Sequence, residues 1–180
     1  IDAWQGGLHL AAGVTTVRDM GNDNATLQKL IADEREGRRL SPGIVAAGFL
    51  EGESPMSARN GFVIADLAGA KRAVDWYAKN GYPQIKIYNS FPKDILRDTV
   101  AYAHSRDLRV SGHIPVFLRA EQALDAGYDE IQHINQVLLN FLVEDTTDTR
   151  TLERFYLPAK RIADMNFDAT PVQDFIPRLA

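Results

Sequence analysis

The chain has 180 residues, of which 45% are hydrophobic and 24% are charged, and its formal net charge is −4. These proportions are typical of one ordinary globular domain or of part of a larger one. The acidic balance gives no electrostatic reason to expect nucleic acid or an anionic membrane as a partner. The sequence holds no cysteine, which excludes disulfides and thiolate zinc sites and leaves both a cytoplasmic and an exported location open.

Short apolar runs of strand character alternate with amphipathic helical patterns along the chain. A first helix is predicted around 8–12, and the predicted strands then cover 14–19, 44–50, 84–88, 109–113, 129–134 and 167–172. The helices predicted between or after these strands cover 24–38, 66–78, 92–103, 118–124 and 152–163. This alternation favours right-handed βαβ units and a parallel sheet. An open doubly wound sheet fits the same pattern, although no glycine-rich phosphate loop follows the first strand.

Three polar residues stand at the carboxyl ends of successive predicted strands: Lys86, His113 and His133. In a parallel α/β barrel the carboxyl ends of all strands open onto one face, and active sites form there. We therefore expect two imidazoles and a primary amine to point into one mouth. Because imidazole nitrogens suit zinc, manganese or iron, the pattern predicts a metal site built from three distant segments.

Each of these residues also has a purely structural interpretation. His133 lies between Ile131 and Ile134 and would then be a core histidine that bonds a neighbour. Lys86, in an otherwise apolar strand, would then form a salt bridge with an acid such as Asp19. The chemical alternative is that burial lowers the pKa of the amine and makes it nucleophilic, which suits a Schiff base or a carbamate formed with carbon dioxide.

Four sequence blocks carry a family resemblance, in order and spacing. They are GVTTVRDMG at 13–21, IKIY at 85–88, VSGHIP at 110–115 and AGYDEIQHI at 126–134. Together they resemble the metal-dependent amidohydrolase superfamily, and within it they are most similar to the imidazolonepropionase-like and prolidase-like branch. The blocks cover nearly the whole chain, and it is their ordered set, rather than any single block, that makes the resemblance specific.

In that family the lysine that ends the fourth strand is carboxylated and bridges two divalent metals. The histidines that end the fifth and sixth strands ligate the second metal. The resemblance therefore implies a catalytic, metal-binding Lys86, metal-binding His113 and His133, and two zinc ions as cofactors. Tyr88 faces the same side of its strand as Lys86, so we expect it to contact the substrate.

The chain also departs from the family pattern. The family's first strand carries a His-x-His pair and its last strand an aspartate ligand, and we expect both to lie outside this chain. Residues 1–180 are thus expected to form one partial (β/α)8 TIM-barrel domain of α/β class, holding strands 2–7, without the family's β-sandwich domain. The loop 51–62 lacks the family's glycine–histidine element, and with Arg59 it is expected to line the substrate pocket.

The resemblance implies a hydrolase that cleaves an amide, peptide or cyclic amide bond with a hydroxide that bridges two metals. Two alternatives stay open. One is a mononuclear deaminase- or imidazolonepropionase-type hydrolase in which Lys86 is unmodified, and the other is a non-catalytic barrel fragment. The expected partner is a small-molecule or dipeptide-like substrate, with no nucleic acid and no membrane, and a homo-oligomer is left open.

Overall fold

Parallel strands form the centre of the computed structural model, which describes residues 1–144 and 146–179. Within these residues the strands are β1 (Thr16–Asp19), β2 (Gly43–Gly52), β3 (Phe62–Ile64), β4 (Gln84–Ile87), β5 (Arg109–Gly112) and β6 (Glu130–Ile131). Five of them pair in the order β1-β2-β4-β5-β6, and β3 pairs only with the end of β2. Every pairing is parallel, as the alternation of strands and helices predicts.

Helices connect the strands and follow the last one. They are α1 (Gly6–Ala11), α2 (Asn24–Arg35), α3 (Leu67–Lys79), α4 (Leu96–His104), α5 (Ala120–Ala126), α6 (Ile134–Leu142), α7 (Glu153–Arg161) and α8 (Thr170–Phe175). Asp66 is the N-cap of α3, and its carboxylate accepts a hydrogen bond from the Gly69 N–H at 2.6 Å. Gly127 ends α5 with a φ of 101°, a conformation that costs glycine little.

The apolar core lies between the sheet and the helices on its convex face. Because side chains alternate along a strand, Ile85, Ile87 and Val110 point to this face and are fully buried. They pack among Ala70, Ala73, Val74 and Tyr77 of α3 and Leu96, Val100 and Ala103 of α4. Burying each of the larger side chains contributes roughly 1.5–3 kcal/mol, so this layer holds the sheet in place. The opposite, concave face therefore carries Lys86.

A strong curl of the sheet brings its two outer strands together. Arg18 on β1 donates to both carboxylate oxygens of Glu130 on β6, at 2.6 and 2.7 Å. In a flat sheet these strands would lie four spacings apart, or roughly 19 Å, which the two side chains could not bridge. The hydrogen bond with Arg18 also lowers the pKa of Glu130. The fold is thus an α/β half-barrel, and it is compatible with part of a TIM barrel.

The strand predicted over 167–172 is wrong. The structure has a turn there, followed by α8, and Phe167 is 48% exposed. Pro171 lies in the first turn of α8, where its missing N–H costs no hydrogen bond and its fixed φ suits a helix. The assignment to barrel strands 2–7 is therefore not confirmed. A further difference is that β2 continues to Gly52 and the short β3 begins at Phe62, so the loop between them spans 53–61.

In the part of the chain that the structure describes, no helix combines the length and the apolar character that a membrane span requires.

The close packing of α3 on the sheet can be tested through the free energy of unfolding. Gly48 faces Tyr77, and a Cβ atom at residue 48 would overlap the buried Tyr77 ring. Gly48→Ala should therefore lower the free energy of unfolding by about 1–3 kcal/mol in urea denaturation. Gly7→Ala, at an open position of α1, should leave stability unchanged or raise it by up to about 1 kcal/mol. If both substitutions changed the free energy of unfolding equally, the close packing of Tyr77 on Gly48 would be contradicted.

Candidate functional site

The pairing of β4 with β5 places the first two predicted ligands on one face. Lys86 pairs with Ser111, and Ile87 pairs with Gly112, so the following residues Tyr88 and His113 lie side by side. The centroids of the Tyr88 and His113 rings are 4.3 Å apart. The Lys86 ammonium lies 5.3 Å from the centroid of the Tyr88 ring. All three side chains thus meet at the carboxyl end of the half-barrel.

His133 completes this group from the next segment. Its ring centroid lies 4.9 Å from that of His113, with the two rings nearly perpendicular. β6 ends at Ile131, and His133 is exposed and is the N-cap of α6, so its interpretation as a core histidine is wrong. Its φ of 68° is strained for a residue that carries a Cβ, and such strain clusters at functional sites. The structure therefore brings Lys86, His113 and His133 together.

His113 is buried as a neutral imidazole with one nitrogen unused. Its Nδ1 lies 2.7 Å from Oδ1 of Asn89, so the proton on this side is Nδ1–H, donated to the amide oxygen. Its Nε2 is buried and has no hydrogen-bond partner among the described residues. Burial, with smaller contributions from the nearby charges of Lys86 and His133, lowers the pKa of His113 to about 3. A neutral ring with a free lone pair is the form that binds a metal.

A glycine makes the position of His113 possible. Gly112 has a φ of 142°, and a Cβ atom there would overlap the carbonyl oxygen of Ile87 on the neighbouring strand. The His113 N–H then donates to that carbonyl at 3.0 Å. Tyr128 also donates its hydroxyl to the His113 carbonyl, at 3.1 Å. Both the N–H and the carbonyl of His113 are thus hydrogen-bonded, and its ring lies between those of Tyr88 and His133.

Among the described residues, Lys86 is a buried amine without a carboxylate bonded to it. Its side chain forms no ion pair with Asp19, whose carboxylate accepts hydrogen bonds from Asn22 and the Gly21 N–H. No hydrogen bond or ion pair joins Lys86 Nζ to any residue within 1–144 or 146–179. Burial lowers the pKa of Lys86, the positive charge of Arg18 adds to the effect, and the negative charge of Asp19 opposes it. The amine is therefore suited to carbamate formation.

A cavity of about 310 Å³ opens on the concave face beside the amine. Its lining includes Arg18, Asp19, Phe49, Asn60, Lys86 and Tyr88. Tyr88 therefore lines the cavity next to Lys86, and its contact with a substrate stays a prediction. Arg59 does not line this cavity, although its neighbours do, and its exposed side chain forms an ion pair with Glu53 at 3.1 Å. A larger cavity of about 610 Å³, between α6 and α8, contains none of the predicted site residues.

Glu51 holds the loop 53–61 beside this cavity. It is fully buried at the end of β2 and accepts hydrogen bonds from the backbone N–H groups of Ser90 at 2.6 Å, Gly52 at 3.0 Å and Ala58 at 3.4 Å. Burial raises the pKa of Glu51, and these three donors oppose the rise. A charged residue directly after the apolar run 44–50 was the only sequence signal for this role.

Sequence reasoning missed two other residues of the site. Asn89, which fixes the ring of His113, follows Tyr88 in a segment that reads as an ordinary turn. Arg154 lies on α7, and its positive charge contributes to the lowered pKa of both His113 and His133. Neither residue belongs to a local pattern that marks a site, because each acts on a segment more than 20 residues away.

Of the residues that the structure brings together, only His113 and His133 are of the types that commonly bind a metal in proteins. Within 1–144 and 146–179, no three His, Cys, Asp or Glu side chains lie close enough together to hold a metal. The available nitrogen ligands are His113 and His133, and a carbamate on Lys86 would add oxygen atoms. The orphaned Nε2 of His113 fits a metal, but protein metal sites commonly use three or four ligands. Further ligands would have to come from elsewhere.

No family model and no curated protein matches the sequence of this chain. Solved structures match its fold. A bottromycin amidohydrolase matches with a TM-score of 0.65 and 20% identity over 86% of this chain and 34% of that one. A structure described as an amidohydrolase matches with a TM-score of 0.58 and 23% identity over 71% of this chain and 39% of that one. A structure described as a prolidase from Bifidobacterium longum matches with a TM-score of 0.57 and 23% identity. The match covers 71% of this chain and 34% of that one.

These likenesses establish the fold: the chain has the fold of amidohydrolase structures. The resemblance seen in the sequence is thereby confirmed in its fold, whereas the imidazolonepropionase-like and prolidase-like branch is not confirmed. The chain spans only 34% to 39% of the length of these three structures.

The hydrogen bond between Asn89 and His113 makes a testable prediction. Asn89→Ala leaves the buried Nδ1–H of His113 without an acceptor, so the free energy of unfolding should fall by about 1–3 kcal/mol. The matched control is Asn80→Ala, which removes an exposed hydrogen bond to the Trp76 carbonyl and should cost no more than about 0.5 kcal/mol. Urea denaturation measures both. A loss at residue 89 no greater than that at residue 80 would refute the proposed role.

Proposed function

We propose that this chain forms part of a metal-dependent hydrolase that cleaves an amide, peptide or cyclic amide bond. The observation that carries the proposal is the buried, neutral ring of His113, whose unpartnered Nε2 lies beside His133 and Lys86. Such a nitrogen costs free energy unless a ligand uses its lone pair. The amidohydrolase fold supports the same class of reaction.

In this proposal Lys86 is carboxylated, and together with His113 and His133 it holds divalent metal, with two zinc ions as the expected occupants. A bound divalent metal lowers the pKa of water and polarises a carbonyl group. The depressed pKa of Lys86 favours the neutral amine that reacts with carbon dioxide. The resulting negative charge would also compensate for the missing acidic partner of this buried residue.

The remaining residues of the site orient the ligands and the substrate. Asn89 holds the His113 ring through Nδ1, which fixes the tautomer and leaves Nε2 deprotonated. Tyr88 and Phe49, with ring centroids 4.8 Å apart, form an aromatic wall of the cavity. This wall suits the apolar part of a small-molecule or dipeptide-like substrate.

Metal analysis of the full-length protein tests the role of Lys86. Lys86→Ala removes the residue that would carry the carbamate, so the expected metal content falls from two ions per protein to one or fewer. Lys79→Ala, which removes an exposed lysine of α3, is the control and should keep the wild-type content. Inductively coupled plasma mass spectrometry after dialysis gives the count.

The same measurement separates the alternatives. One metal ion in the wild type, unchanged by Lys86→Ala, would favour the mononuclear enzyme with an unmodified lysine. A wild-type protein that binds no divalent metal would refute the proposed function and favour a non-catalytic barrel.

A further inference from the structure

Glu51 joins two segments at the mouth of the half-barrel. Its Oε1 accepts the backbone N–H of Ser90, in the segment between β4 and α4, at 2.6 Å. Its Oε2 accepts the N–H of Ala58, in the loop 53–61, at 3.4 Å. The Gly52 N–H also donates to Oε1, at 3.0 Å. One carboxylate thus holds the end of β2 against both segments.

The end of β2 and Ser90 also touch directly through their main chains. A Cβ atom at residue 52 would overlap the carbonyl group of Ser90, so no side chain separates the two backbones. The hydroxyl groups of Ser54 and Ser90 lie 2.9 Å apart and form a second link between the loop 53–61 and Ser90. The loop is therefore tied to Ser90 both through Glu51 and through Ser54.

The peptide between Asn89 and Ser90 carries this link to His113. Its N–H donates to Glu51, and its carbonyl, that of Asn89, accepts the N–H of Val116 at 2.8 Å. The side-chain oxygen of Asn89 accepts the Nδ1–H of His113 at 2.7 Å. A shift of this peptide would therefore move the Asn89 side chain away from the His113 ring.

The other end of the link is a wall of the cavity beside Lys86. Ala58, whose N–H Glu51 holds, and Asn60 line this cavity together with Lys86 and Tyr88. Glu51 itself is 0% exposed and is not among the lining residues. Because a fully buried carboxylate cannot contact a substrate, Glu51 acts only through the groups that it binds.

The charge of Glu51 matters because its three partners are all donors. Burial raises the pKa of the Glu51 carboxyl, whereas the three N–H groups and the positive charge of Arg150 lower it. An ionised carboxylate accepts on both oxygens, and such charge-assisted hydrogen bonds are roughly twice as strong as neutral ones. A glutamine of the same shape would turn its NH2 group toward one of these donors and lose that bond.

We propose that Glu51 is a positioning residue of the site, which fixes the peptide that aims Asn89 at His113 and holds the cavity wall at Ala58. This role rests on the proposed function, because the His113 ring is held in the orientation in which its Nε2 can bind a metal. Loss of the carboxylate should therefore loosen the cavity wall and the His113 ring together.

The test follows hydrogen exchange by nuclear magnetic resonance on the full-length protein, kept metal-free in a chelator and containing isotope-labelled histidine. Glu51→Gln should speed the exchange of the Ser90 and Ala58 amides by about 10- to 100-fold. The Nδ1–H of His113 should exchange at least about 10-fold faster, because its acceptor Asn89 moves away more often. Glu51→Asp keeps the charge on a shorter side chain, so it should restore part of the protection and decides the question if Glu51→Gln does not fold.

Two controls separate positioning from a general loss of stability. The Val110 amide, which donates to the Asp129 carboxylate at 2.7 Å at the other end of β5, should exchange at the wild-type rate in Glu51→Gln. Glu53→Gln makes the same chemical change on an exposed side chain and should leave all of these rates unchanged. The role of Glu51 is overturned if Glu51→Gln leaves the His113 Nδ1–H rate unchanged, or if it speeds the Val110 amide as much as the Ser90 amide.

Zinc titration in competition with a chelator distinguishes failure of this role from failure of the proposed function. Glu51→Gln should bind zinc about 10- to 100-fold more weakly than the wild type, as expected when an outer partner of a ligand is lost. Equal zinc affinity in the two proteins would overturn the link from Glu51 to His113. A wild type that binds no zinc would refute the hydrolase proposal, while the exchange rates of the metal-free protein would still decide whether Glu51 positions Asn89 and Ala58.

Discussion

The parallel register between β4 and β5 decides which side chains meet at the mouth of the half-barrel. It sets Lys86 opposite Ser111 and Ile87 opposite Gly112. A slip by one residue would turn Lys86 toward the apolar helices and remove it from the histidines. Gly112 secures this register, because any side chain there would overlap the Ile87 carbonyl that accepts the His113 N–H. The candidate site therefore depends on one close approach of two backbones.

Burial then determines the chemistry of the groups that the register collects. The same low-dielectric surroundings lower the pKa of Lys86 and of His113, which shifts each group toward the form that carries a lone pair. Asn89 satisfies one nitrogen of His113 and leaves the other unpartnered. Unsatisfied buried groups of this kind are rare in folded proteins, so this nitrogen calls for a ligand. A bound metal would use its lone pair.

Much of this arrangement was predictable from the sequence, for a physical reason. Short apolar runs of strand character predicted the strands at 84–87 and 109–112, and the carboxyl ends of parallel strands must share one face. The predicted strand at 167–172 failed because local pattern does not reveal whether a neighbouring strand exists to pair with it. Asn89 and Glu51 escaped detection because their decisive bonds join residues 24 and 39 positions apart.

The most direct test of a metal centre at this mouth is a crystal structure of the full-length protein with zinc, recorded at the zinc absorption edge. The account predicts an anomalous peak about 2.0–2.1 Å from an imidazole nitrogen of both His113 and His133. It also predicts density for a carboxylate that continues from Lys86 Nζ. Zinc bound only at other residues, with an unmodified Lys86 and a His113 ring bonded to Asn89 alone, would contradict it.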